Sequence, residues 1–154
     1  MRHWTLLLAL ALAAGCTATD EQAEHACSHL DLAGDPVAAA ASEADASTGS
    51  ADLPITEHGV WRVEGLGGAD RFIRVPVDQE VPTRLFLGAV SGLAGLTVDG
   101  DDEALPASEP NASCADEIPE SYRFDMTPGD WILRFGSDAP SELWAMLVPE
   151  DHHH

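Results

Sequence analysis

The chain has 154 residues, enough for one hydrophobic core but too few for two, and it carries 27 acidic side chains against seven basic ones. A formal net charge of −20 repels phosphate backbones and anionic lipid surfaces, which excludes nucleic-acid binding and electrostatic adhesion to a membrane. All 27 acidic residues but only six basic ones (Arg62, Arg71, Arg74, Arg84, Arg123 and Arg134) follow Cys16, so the part beyond that cysteine carries −21. An acidic surface of this kind serves solubility first and is compatible with cation binding.

The chain opens on Met1-Arg2-His3 and an apolar run from Trp4 to Ala14. That run is shorter than the ~20 residues a spanning helix needs, and it fits the apolar region of a signal peptide. It closes on Leu12-Ala13-Ala14-Gly15-Cys16, which resembles a bacterial lipobox. The resemblance implies cleavage after a 1–15 signal peptide and a lipid-bearing cysteine at Cys16. Two or more acyl chains would then hold the protein to the cell envelope, each buried CH₂ contributing ~0.8 kcal/mol. Thr17 follows the cysteine where an aspartate would direct inner-membrane retention, so the resemblance implies the outer membrane. The pattern departs from the usual one at Ala13, where leucine is common. Ordinary secretion with cleavage near Ala14 or Ala18 is the alternative.

Residues 16–36 form a tethered segment with good helix formers from Asp20 to Leu30. Thr19 or Asp20 is placed to cap a short helix, and Gly34-Asp35-Pro36 is placed to stop the chain continuing it. Residues 37–52 are rich in Ala and Ser and read as a linker or a loose edge segment. From residue 53 to 149 the texture is that of strands. Seven short segments (59–66, 71–77, 82–88, 94–99, 121–126, 131–136 and 142–148) are rich in Val, Leu and aromatics and are separated by Gly, Pro, Asn and Asp. The fold class predicted is mainly β: a single antiparallel, jelly-roll-like sandwich behind a short N-terminal helix. The strand aromatics Trp61, Phe72, Phe86, Tyr122, Phe124, Trp131, Phe135 and Trp144 are read as core. Residues 104–119 are polar and read as a loop, and residues 150–154 form an acidic, histidine-ending tail.

The order DRFIRVPVDQEVPTRLFLG, LTVDGDD and SYRFDMTPGDWILRFG over residues 59–148 resembles bacterial pre-peptidase C-terminal domains. The strand from Gly129 to Gly136 carries the family's glycine-bounded aromatic pattern. That resemblance implies an accessory, non-catalytic module.

Two cysteines remain beyond Cys16. In an oxidising compartment Cys27 and Cys114 are expected to form a disulfide, contributing ~4–5 kcal/mol for a loop this long. The alternative makes Cys27 a metal ligand between His25 and His29.

Histidines carry the remaining chemistry. His25 and His29 are four apart, so a helix stacks both imidazoles on one side, with Glu21 one turn earlier. His58 precedes the first predicted strand, and His152, His153 and His154 end the sequence. If the helix folds back onto the sandwich, these groups converge. Imidazoles in that number suit Zn²⁺ or Cu²⁺. Asp99-Gly100-Asp101-Asp102-Glu103 lacks the spacing of a calcium-binding loop and reads as a solvated hairpin turn. No G-x-S-x-G or H-E-x-x-H motif is present, nor a Cys-His pair with a free thiol expected. The expectation is a monomeric, non-enzymatic envelope lipoprotein that binds a transition metal. The alternative is a structural or protein-interaction lipoprotein without metal, docking an envelope protein.

Overall fold

A computed structural model describes residues 20–150. The leader, Cys16 and the terminal triplet His152, His153 and His154 lie outside the described residues.

A short helix, α1 (Glu21–Ser28), comes first, followed by strand β1 (Asp35–Ala38), a helical turn α2 (Glu43–Asp45) and an irregular turn over Ala46–Ser50. Eight strands follow: β2 (Val60–Glu64), β3 (Arg71–Val77), β4 (Val81–Leu87), β5 (Leu93–Val98), β6 (Asp101–Glu103), β7 (Glu120–Met126), β8 (Gly129–Phe135) and β9 (Glu142–Pro149). One sheet has the order β1-β2-β9-β4-β7 and the other β3-β8-β5-β6. Every pairing is antiparallel except β1 with β2. The predicted mainly-β sandwich is therefore the fold, and all seven predicted segments are strands.

Alternation puts the core between the sheets. Ile73, Val75 and Val77 of β3 and Leu133 and Phe135 of β8 face Leu85 and Leu87 of β4 and Leu143, Ala145 and Leu147 of β9. Tyr122, Phe124, Trp131 and Phe135 join this core, whereas Trp61, Phe72 and Trp144 are only partly buried, and Phe86 belongs to a second cluster on the other face of its sheet.

Two strands escaped the sequence reading. Strand β6 is three exposed acidic residues with no apolar pattern, paired to β5 through the Asp99-Gly100 turn. Both turn residues have positive φ (51° and 88°), the geometry that a tight hairpin of this type requires. The acidic run is thus a turn and edge strand, and the Asp99 carboxylate accepts the Asp130 N–H at 2.9 Å. Strand β1 begins at Asp35-Pro36, an edge position where proline's missing donor costs nothing. Gly34 precedes it at φ +71°, where a Cβ would come within 2.9 Å of the Trp61 backbone. Only glycine fits both demands.

Residues 37–52 depart further from the linker reading. Beyond β1, Ala46 and Ala51 are buried, as is Leu53. Leu53 N–H donates to the Arg74 carbonyl (2.7 Å), and Arg74 N–H donates to that of Ala51 (2.9 Å). The segment therefore pairs along the open edge of β3, where unpaired backbone groups would otherwise be exposed. The Arg74 guanidinium ties it down through Asp52 at 2.9 Å and Asp130 at 2.8 Å. Alanine resembles linker composition but here permits close backbone approach.

The five-stranded sheet is buried on both faces at its centre, which is why Thr83–Leu87 of β4 run buried without alternation. On the outer face Phe86, Met146 and Val148 pack with Ala26 of α1 and Ile118 of the 104–119 loop. The sulfur atoms of Cys27 and Cys114 lie at disulfide distance, 1.99 Å, joining helix to loop. Asn111 is fully buried between them. Its Nδ2–H donates to the Ala23 carbonyl at 3.0 Å, and its Oδ1 accepts from the Ser113 and Cys114 amides at 2.8 and 3.2 Å. At the other end of the helix, Asp20 pairs with buried Arg84 on β4.

Candidate metal centre

Helix α1 starts where the Asp20 side chain accepts the Ala23 N–H at 3.1 Å, and it ends at His29. Ala23 and Ala26, three apart, are the residues it buries against the sheet. Their smallness lets the helix sit close. His25 and His29 flank that stripe and are half-buried.

The third imidazole comes from a different part of the chain. Thr56 N–H donates to the Leu147 carbonyl (3.2 Å), and Val60 pairs with Met146, so residues 56 and 60 meet neighbouring residues of β9 and the chain bends at Glu57-His58 between them. His58 stands in this approach segment, exposed, opposite the end of α1.

The three rings form one group. Centroids are 4.6 Å apart for His25 and His29, 5.0 Å for His25 and His58, and 5.7 Å for His29 and His58. One nitrogen from each lies within 4.8 Å of the others, near enough for small side-chain rotations to close them on one ion. His25 Nε2–H donates to the Glu57 carbonyl at 2.9 Å. A carbonyl only accepts, so this bond fixes the tautomer and leaves the Nδ1 lone pair available. The Glu57 carboxylate stands 3.9 Å from His58 Nε2.

Burial lowers the pKa of His29 below its usual 6.5, and the charges His25 and His58 would carry lower it further. His29 thus favours the neutral, ligating form. The sign for stability follows. The unfolded chain binds a proton at His29 more readily than the folded one, so stability falls as pH drops from above 6.5 through the lowered folded value. We expect the metal-free chain to lose melting temperature between pH 7 and 5 more steeply than its His29→Gln variant. Parallel curves would contradict this.

No family model and no curated protein matches the chain.

Of the residues singled out in the sequence, His25, His29 and His58 are brought together, and they form the only such ligand group among the described residues. Cys27 is committed to sulfur, and Glu21 is exposed and outside the group. Sequence reasoning missed the Glu57 carbonyl that orients His25. It also missed Asn111 and Arg84, which hold the helix in place. Asp20 was legible as a cap, but no local pattern marked it as an ion-pair partner of a strand 64 residues away.

Proposed function

We propose that this is a non-catalytic, monomeric lipoprotein of the cell envelope, anchored through Cys16, that captures Zn²⁺ or Cu²⁺ at His25, His29 and His58. The observation that carries the metal reading is the convergence of three imidazoles from two separate segments. Packing three histidines together without a bound ion is repulsive once more than one of them protonates, whereas coordination turns the same proximity into stabilisation. Borderline nitrogen donors select transition metals over Ca²⁺ or Mg²⁺.

The anchor rests on the lipobox resemblance around Cys16, and the accessory role on the likeness to pre-peptidase C-terminal domains. The proposal extends to the tail. Gln22 Nε2–H of α1 donates to the Pro149 carbonyl at 3.1 Å, so β9 delivers the chain beside the helix that carries His25 and His29. His152, His153 and His154, which lie outside the described residues, are proposed as further donors.

The test is calorimetric titration of Zn²⁺ and Cu²⁺ into the chain with and without the terminal triplet. Sub-micromolar 1:1 binding that survives loss of the triplet and disappears in His29→Ala is the expected result. At a hundredfold excess over Kd, bound metal stabilises the fold by ~2.7 kcal/mol, which appears as a raised melting temperature. Absence of binding by the intact chain overturns the metal reading in favour of a protein-interaction lipoprotein.

A further inference from the structure

The metal-binding reading has a consequence for the disulfide, because Cys27 lies on the same helical turn as the ligands. α1 is eight residues long, and an isolated helix shorter than ~12 residues is marginal in water. Its position therefore depends on what ties it to the sandwich. Three of the non-covalent polar ties gather in its first turn: Asp20 to Arg84, Gln22 to the Pro149 carbonyl and the Ala23 carbonyl to Asn111. The last turn, which carries His25 and His29, is held by Ala26 packing on Phe86 and Met146, by the His25 bond to the Glu57 carbonyl and by the Cys27–Cys114 bond. The covalent tie thus sits two residues from each helical ligand, while the third ligand, His58, belongs to the sandwich.

We propose that the Cys27–Cys114 disulfide and metal occupancy at the histidine group are coupled: the oxidised bond sets the metal affinity, and bound metal protects the bond from reduction. Reduction consumes two electrons and two protons and releases two thiols. A phosphine supplies the electrons and becomes the phosphine oxide, taking its oxygen from water. With the bond open, the last turn of α1 frays and His29 leaves His58. Linkage makes the effect reciprocal. If oxidation raises Zn²⁺ affinity tenfold, Zn²⁺ makes the disulfide tenfold harder to reduce, equivalent to about 30 mV for a two-electron couple. In an envelope where thiol reductants compete for disulfides, the metal-loaded protein would keep its bond and the empty one would lose it.

Two measurements on the full chain test this. The first compares Zn²⁺ affinity in the native protein and in Cys27→Ser/Cys114→Ser, whose hydroxyls cannot replace thiolates as ligands. A fall of tenfold or more in the double variant is expected. The second follows the rate at which a water-soluble phosphine exposes Cys27 and Cys114 to alkylation, with and without Zn²⁺, so it needs no variant that must fold. Zn²⁺ is expected to slow reduction several-fold, and His29→Ala to abolish the protection. Equal affinities in native and folded double variant, or a reduction rate indifferent to Zn²⁺ while Zn²⁺ binds, overturn the coupling and leave the metal site standing. A native chain that binds no Zn²⁺ at all overturns both.

Discussion

Replacing Cys27 and Cys114 with serine should lower the melting temperature by on the order of 15 °C. The bond closes a loop across 87 positions. In the chain-entropy model, opening a loop of that length returns ~4–5 kcal/mol of freedom to the unfolded chain. The main core draws on neither α1 nor the 111–118 loop, so the sandwich still folds without the bond. What loosens is the outer layer, where Ala26 and Ile118 cover Phe86, Met146 and Val148. Hydrogen exchange in the variant should therefore lose protection first in residues 21–28 and 111–118, while β3, β4, β8 and β9 stay protected. A melting temperature within ~3 °C of the native chain would show that the non-covalent ties alone hold the helix. Uniform loss of protection would show that the outer layer and the sandwich unfold as one unit.

The same division explains how much could be read from the sequence. The seven strands that build the inter-sheet core announce themselves because alternation, aromatics and turn residues agree, as in Arg71–Val77 with its buried Ile73, Val75 and Val77. β6 could not be seen because its three acidic residues pair through the backbone alone. For residues 37–52 the composition left a linker and a loose edge segment both open, because alanine among serines is compatible with either. Ala46 and Ala51 are buried, and the backbone pairing of this belt with β3 leaves no mark on side-chain pattern. The histidine group was legible only conditionally. The spacing of His25 and His29 could be seen, but bringing His58 to them needed the helix folded back by Cys27 and Cys114. The angle of that docking depends on Asn111, Arg84 and Pro149, three residues far apart in the chain.

The second large effect is expected at Asp20. Arg84 is 2 % exposed, and its guanidinium meets the Asp20 carboxylate, the Ser121 hydroxyl at 3.2 Å and the face of Phe86 at 4.8 Å. Asp20→Ala leaves that charge buried with one neutral partner and also removes the cap on the Ala23 N–H. Stranding a buried charge costs ~3–5 kcal/mol, and losing a cap costs about 1 kcal/mol. Asp20 is itself about a quarter exposed, so water enters to screen part of the loss, and the sum should fall near 3 kcal/mol. Adding Arg84→Met should restore most of it, because an apolar side chain of similar volume needs no partner and suits the company of Phe86 and Met146. The pH dependence has a definite sign. Burial raises the Asp20 pKa, but hydrogen bonds from Arg84 and the Ala23 amide, with the charges of Arg84 and Arg123, outweigh it and hold the group below 3.8. Its contribution is therefore full above pH 3.8 and is lost as pH falls through the lowered value. Urea unfolding of the native chain should weaken across that window, and the Asp20→Ala/Arg84→Met protein should show a flatter profile. If the double variant remains as unstable as Asp20→Ala, the helix cap rather than the stranded guanidinium carries the effect.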